Sequence, residues 1–348
     1  MITGAIQARN NFNRFVGEAG PSSIGDCEAE VGFIFQSVFG ACARICKWMW
    51  LRSRFPGKIS SQVGQILDME LAMRDSFISP THEQHSLPSL GELGPDLLHV
   101  GLVRKCFSIV LPLAFVAGYF WLADRGLWPL AVLAAVAYTF FSYGSTSHDL
   151  VHGNLGLPRW LNHILLSVIE LAGLRSGHAY RAAHLHHHAR FPHDDDIEAT
   201  AAHGTLLGAL AAGPGHQIKV WYWAMRHAKH DRIWIVAEGF ACAAIVIASI
   251  AVCRISIAPL VWVILVVLGS WTFPLITAYV PHDPHGKDPL AQTRRFRGKV
   301  AAVLFLQHLY HLEHHLYPAV PHQHWYKLAQ RLDPYLDEAG VESIRLGI

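Results

Sequence analysis

The chain has 348 residues and a net charge of +2, with 52% of its residues hydrophobic and only 16% charged. An ordinary soluble domain is about 25% charged, so this composition points to lipid contact. The near-neutral charge, with no basic block, argues against a nucleic-acid partner. Six cysteines at 27, 42, 46, 106, 242 and 253 form no C-x-x-C pair, which argues against a zinc ribbon or an iron–sulfur ligand set and leaves them as thiols outside any disulfide framework.

Residues 1–94 read as an N-terminal extension. Within it Val31 to Leu51 is apolar but broken by Arg44 and Lys47, and it lacks the basic start and small-residue cleavage site of a secretory signal. It is either an amphipathic surface helix or part of a segment preceding a natural start at Met69 or Met73. A bilayer crossing takes about 20 mostly apolar residues, and four stretches qualify. The first runs from about Val103 to Leu122; an Asp124-Arg125-Gly126 turn leads into the second, Trp128 to Tyr143. His148-Asp-Leu-Val-His152 follows directly. Leu161 to Leu174 is short and carries His163 and Glu170, so it reads as a helix at the membrane interface. The next loop holds His184-Leu-His-His187-His188 and an Asp194-Asp-Asp196 run. The third span, Ile233 to Val252, carries Glu238, which needs a partner or an interfacial position. The fourth covers Ile257 to Val280, and His311-Leu-Glu-His314-His315 comes after it. Residues 336–348 form a tail.

Basic residues concentrate after the second span (Arg159, Arg175, Arg181, Arg190, Lys219, Arg226) and after the fourth (Lys287, Arg294, Arg295, Arg297). The positive-inside rule places both regions and the N-terminus in the cytoplasm. The expected fold is an all-α integral membrane protein, with four transmembrane helices in two hairpins and a cytoplasmic helical cap holding the histidines.

Histidine is the unusual component: 24 residues, 21 of them between His148 and His324. Residues four apart on a helix share a face, so His148 and His152 can reach one metal. In an H-x-x-H-H set the first and fourth residues are expected to share a face with the fifth beside them, feeding two neighbouring metals. The four-span topology brings all three clusters to the same membrane side. A lone histidine is ordinarily a surface or satisfied core residue, which accounts for His82, His85, His99, His203, His216, His227, His230, His322 and His324. It does not account for three spaced clusters of eight. Asp149, Asp196 and Glu313 are candidates to accept the second N–H of a ligating ring and fix its tautomer; a solvated loop or helix cap is the plainer role for the aspartate run. Nitrogen donors suit zinc, copper, iron or nickel. A zinc hydrolase takes three protein ligands, whereas eight or more histidines match two metals and oxygen activation.

These clusters resemble the three histidine boxes of the membrane fatty acid desaturase and hydroxylase superfamily, over about residues 95–335. His148 and His152 match the first box, His184, His187 and His188 the second (His186 is the odd one out), and His311, His314 and His315 the third. The resemblance implies a four-span scaffold, a di-iron centre with two iron ions, dioxygen as co-substrate, and a further histidine after the last span, where His282 stands. Tyr279-Val-Pro-His-Asp-Pro284, Thr293-Arg-Arg-Phe-Arg297 and the Tyr-Pro-Ala-Val-Pro321 ending resemble the bacterial carotenoid ketolases and related carotene hydroxylases. That branch implies a carotenoid substrate in the inner membrane, with an acyl-lipid or fatty acid desaturase as the closest alternative and a zinc-dependent membrane hydrolase as a distant one. The long N-terminal extension departs from the pattern. No H-P-G-G signature of a fused haem module is present, so electrons are expected from a separate ferredoxin- or cytochrome-type donor.

Overall fold

The computed structural model describes residues 87–298, 300 and 307–346; the 31–51 stretch and the alternative starts at Met69 and Met73 lie outside them. The described chain is mostly helical. A short helix, α1 (Leu90–Leu93), opens with a capping box in which the Ser89 hydroxyl accepts from the Glu92 N–H and the Glu92 carboxylate accepts from the Ser89 N–H. Helix α2 (Leu102–Asp124) and helix α3 (Trp128–Phe141) are joined by three residues. Helix α3 does not stop at its apolar end: a π-helical turn, Ser142–Ser147, carries it into α4 (His148–His152). Then come α5 (Arg159–Ala172), α6 (Gly177–Arg190), α7 (Leu206–His227), α8 (Arg232–Ala251) and α9 (Ala258–Ser270), the last continued by a second π-helical turn, Pro274–Tyr279. Strand β1 (Arg295–Arg297), helix α10 (His311–Leu316), helix α11 (Trp325–Glu338) and strand β2 (Ser343–Arg345) complete the chain. The two strands pair in parallel, a small departure from the all-α expectation.

Four helices are long and apolar enough to cross a membrane: Pro95–Asp124, Trp128–His152, Arg232–Ala251 and Ala258–Tyr279. They coincide with the four apolar stretches of the sequence. Their outward faces are apolar, with Leu130, Leu133, Ile233, Phe240 and Ile247 exposed, as lipid contact requires. Inward, Ala131, Ala134 and Ala135 of α3 pack with Tyr119, Tyr138, Trp262 and Val266. Small residues let helix backbones approach closely; a Cβ at Gly269 would come within 2.9 Å of Thr139 Cγ2. Three polar groups of this aromatic core are satisfied by main-chain carbonyls: Tyr119 donates to Ala258 at 2.8 Å, Trp262 to Ala172 at 2.9 Å, and Tyr138 to Ile169.

Two charged residues of the apolar stretches find partners inside the protein. Glu238 is buried and accepts from Ser167 Oγ (2.5 Å), Ser176 Oγ (2.6 Å), the His178 N–H (3.1 Å) and His178 Nδ1 (2.7 Å). Glu170 on α5 pairs with Arg175 Nε at 2.6 Å, and both side chains are sealed from solvent. Burial pushes the Arg175 guanidinium down, but the Glu170 carboxylate outweighs it and holds the charge. Arg175 is therefore a core residue rather than one of the exposed loop charges counted for topology. Helix α5 presents Trp160, Ile164 and Val168 outward while burying Leu161, Leu165 and Ile169, the two-sided pattern of an interfacial helix.

A second core joins both ends of the described chain. Leu90, Leu93 and Leu97 pack with Tyr310, Tyr317, Trp325, Leu328, Leu332 and Leu336. This core runs across the boundaries at 94/95 and 335/336.

Breaking a buried ion pair by removing one partner costs about 3–5 kcal/mol. Arg175→Met is expected to lower unfolding stability by that amount in detergent, and the Glu170→Gln/Arg175→Met double substitution to recover most of it; denaturant titration of the three proteins checks this.

Candidate metal centre

All nine sequence-selected histidines converge, and they do so in two groups. One ring nitrogen from each of His148, His152, His184, His188 and His314 lies within 4.8 Å of the others, and the same holds for His187, His282, His311 and His315. The partition differs from the face assignment made on the H-x-x-H-H spacing. The first and fifth residues of each box go together (His184 with His188, His311 with His315), as helical i, i+4 neighbours do. The fourth residue, His187 or His314, turns to the other group.

The π-helical turns deliver two of these ligand sets. Ser142–Ser147 directly precedes His148, and Pro274–Tyr279 ends three residues before His282; π-turns recur at functional sites because they re-aim the residues that follow. Tyr143 of the first turn stacks on Phe273 at the start of the second, 3.8 Å between ring centroids. The Arg175 guanidinium lies over both rings at 5.3 and 5.1 Å. Ser147 Oγ donates to Glu170 Oε1 at 2.5 Å, so the Glu170–Arg175 pair fixes both turns.

The ring protonation states follow from the partners. His184 Nδ1 donates to Glu198 (3.0 Å), His187 Nδ1 to Asp196 (2.6 Å), and His282 Nδ1 to the Ala278 carbonyl (2.9 Å). A proton fixed on Nδ1 leaves a lone pair on Nε2. His282 Nε2 lies 3.1 Å from His187 Nε2, 3.1 Å from His315 Nε2 and 3.2 Å from His311 Nε2. One lone pair can meet one N–H, not three other ring nitrogens. In the other group, His314 Nε2 lies 2.9 Å from His148 Nε2 and 2.8 Å from His188 Nε2, and His184 Nε2 lies 3.1 and 3.2 Å from His148 and His188 Nε2. Nitrogens sharing an ion at about 2.1 Å, at right angles to each other, lie about 3 Å apart. Both groups therefore fit a cation, and their all-nitrogen donor sets suit a transition metal.

Burial pushes His188, His282, His311, His314 and His315 well below the ordinary imidazole value, with the neighbouring rings adding to the effect. Neutral rings are the ligating form. For His187, burial lowers the pKa but Asp196 outweighs it and holds it raised. Asp196 and Glu198 are kept charged, burial opposing and His187 and His184 respectively prevailing.

The sequence offers three carboxylates as partners of ligating rings. Asp196 sits behind His187. Asp149 instead takes His322, accepting from its N–H at 3.0 Å and Nδ1 at 2.6 Å, because the His322 segment packs over the first box. Glu313 faces away from the rings and pairs with Arg297 at 2.5 Å, beside Asp333. Glu198 carries no sequence signal of its own: the aspartate run two residues earlier gives no sign that the loop turns back onto His184. Among the isolated histidines, His216, His322 and His324 are buried, the last donating to the Leu97 carbonyl at 2.8 Å. His99, His203, His227 and His230 join neither group, and His82 and His85 lie outside the described residues. His186 packs on Trp223 at 4.8 Å.

A family model described as fatty acid desaturase matches residues 126–346. The chain belongs to the fatty acid desaturase family. Members of this family are iron-dependent membrane oxidoreductases, and the match takes in all nine histidines, both π-turns and three of the four membrane-length helices in full or nearly so. No curated protein matches the chain.

Outer carboxylates tune the affinity of the ring they hold by about 10–100-fold. Asp196→Asn and Glu198→Gln are each expected to weaken metal binding to that extent without unfolding the chain, as competitive chelator titration would measure. The metal-free protein is expected to lose stability as pH falls below 6.5, since the unfolded chain then takes up protons that the buried rings refuse. Melting curves of metal-free protein across that range check the sign.

Proposed function

We propose that this chain is an oxygen-dependent di-iron oxidase that attacks C–H bonds of a lipid-like substrate, with a carotenoid of the β-carotene type favoured. One observation carries the reading. A cavity of about 450 Å³ runs from apolar residues of the spans, including Phe140, Leu265 and Ile276, to histidines of both groups, His148, His187 and His311. An apolar channel ending on a polar, metal-competent floor suits a hydrophobic molecule presented to an oxidising centre.

Each part of the chain has a definable task. The apolar walls exclude water and orient the substrate. Trp325 backs the floor, packing against His148 at 5.2 Å and His314 at 4.7 Å between ring centroids. Asp196 and Glu198 hold the Nδ1 protons that aim the rings. Two iron ions held by the nine histidines would supply oxygen activation, the chemistry that oxidises an unactivated C–H bond. Electrons would come from a separate ferredoxin- or cytochrome-type protein. The basic loops support an orientation with the histidines cytoplasmic, and the likeness to bacterial carotenoid enzymes supports a bacterial inner membrane. The Tyr279–Pro284 and Thr293–Arg297 segments favour a carotenoid, hydroxylated or ketolated. The family match accommodates a second reading equally, an acyl-lipid or fatty acid desaturase.

Chromatography of pigments and fatty acids from a β-carotene-producing bacterium expressing this chain separates the two. Oxygenated carotenoids are expected with the wild type, none with His187→Ala or His314→Ala, which also lose bound iron, and normal product with His203→Ala. New unsaturated acyl chains with unchanged carotenoids would move the protein to the desaturase reading. Full iron and turnover in His187→Ala would contradict the ligand assignment.

A further inference from the structure

A second cavity, of about 540 Å³, lies between α7 and α8 and includes none of the nine histidines. Two stripes of side chains line it: Ile218, Trp221 and Met225 of α7, and Val236, Phe240 and Ala243 of α8. Spacings of three and four put each stripe on one helix face. Residues 228–231 join the two helices. Trp221 Nε1 donates to the Ile235 carbonyl at 3.0 Å, and a Cβ at Gly239 would come within 2.9 Å of the same indole. The cavity is therefore a groove that starts beside the connecting turn and follows α8 from Val236 to Ala243, about 10 Å at 1.5 Å per residue.

The surroundings of the groove define what can fill it. At its back, the Arg175 charge is held by Glu170 and the Ser176 hydroxyl donates to Glu238, each at 2.6 Å. At its mouth, Ile218 and Phe240 are 70% and 74% exposed. Helix α8 is of membrane length, and the exposed apolar surface continues over its Ile247 and over Leu207 and Leu210 of α7. The mouth thus opens into hydrocarbon. At the turn the character reverses, with Arg226, Lys229 and Arg232 all exposed. Arg232 donates to the carbonyl of Met225, a wall residue, at 3.2 and 3.0 Å. The Arg226 guanidinium lies over the Tyr222 ring at 4.0 Å. Asp231, the acid of this turn, is taken by Arg181 at 3.1 Å. Because α8 and α9 are consecutive spans, the turn stands on the membrane side where α9 leads to His282.

We propose that this groove binds one acidic phospholipid from the leaflet on the histidine side. An acyl chain lies between α7 and α8, and the phosphate meets Arg226, Lys229 and Arg232. Basic pockets between membrane helices recognise acidic headgroups in this way. The lipid ties the α7–α8 hairpin to α6, whose Ala179 helps close the groove. The site is independent of the oxidase reading, since it uses no metal ligand and no part of the other cavity.

Native mass spectrometry of the purified, metal-loaded chain tests this. The chain is stripped of lipid in detergent, then offered palmitoyl-oleoyl phosphatidylglycerol and the phosphatidylcholine with the same chains in equal amounts. Wild type is expected to retain one phosphatidylglycerol, favoured over phosphatidylcholine by more than about tenfold. A cation near a headgroup is worth about fivefold in affinity, so Arg226→Gln and Lys229→Gln are each expected to cut the preference by that factor. Arg232→Lys is expected to keep it, as is Lys287→Gln, a charge change in the loop after the last span. Ala243→Trp, at an exposed position on the groove wall, fills the groove and is expected to weaken both lipids. Metal content of each variant reports that it is folded. Equal retention of the two lipids by wild type, a preference unmoved by the two glutamine variants, or full phosphatidylglycerol binding by Ala243→Trp would overturn the proposal. Displacement of the lipid by an equal concentration of inorganic phosphate would overturn it too, since the acyl chain would then contribute nothing.

Discussion

Nine imidazole rings gathered in two groups, with lone pairs facing one another at about 3 Å, form the constraint on which the rest of this structure depends. Such an arrangement is repulsive by itself and costly to bury; it makes physical sense only around cations. Every element that reaches the centre is shaped to meet that demand. Two membrane helices continue into π-turns to aim His148, His152 and His282. Helices α6 and α10 carry H-x-x-H-H sets whose members divide between the two groups, so neither group forms from a single segment. The centre is therefore assembled only when both halves of the chain are packed.

Holding it together requires buried charge in a protein that otherwise meets lipid. The Glu170–Arg175 pair and the Glu238–His178 network each satisfy their charges locally, which is what low-dielectric surroundings require. They also lie where they matter: Arg175 covers the stacked Tyr143 and Phe273 rings, and Glu238 tethers His178 at the start of the helix that carries the second box. The histidine floor is held by this hydrogen-bonded framework, whereas the cavity that reaches it is lined largely by apolar side chains such as Val136, Phe140, Leu265 and Ile276.

Much of this was legible in the sequence, for identifiable reasons. Span length and apolarity are local properties, so the four membrane helices could be read directly. Histidine spacing is also local, and the three boxes could be recognised one by one; His282 came from resemblance alone. What stayed hidden depends on long-range packing. The i, i+4 pairing within boxes two and three was misassigned because spacing alone does not say which side another helix occupies. Asp149 looked like a support for the first box but serves His322, 173 residues away, and Glu313 serves Arg297. Glu198 had no signal of its own. Arg175 looked like an exposed loop charge, and only the fold shows it buried over two aromatic rings.

The central claim is that the two histidine groups hold two metal ions. X-ray absorption on the purified chain loaded with iron, with iron counted per protein, tests it most directly. Two irons per chain, in a nitrogen shell with the scattering signature of imidazole, is the result this account predicts. A single ion, or a shell dominated by sulfur or oxygen, would contradict it.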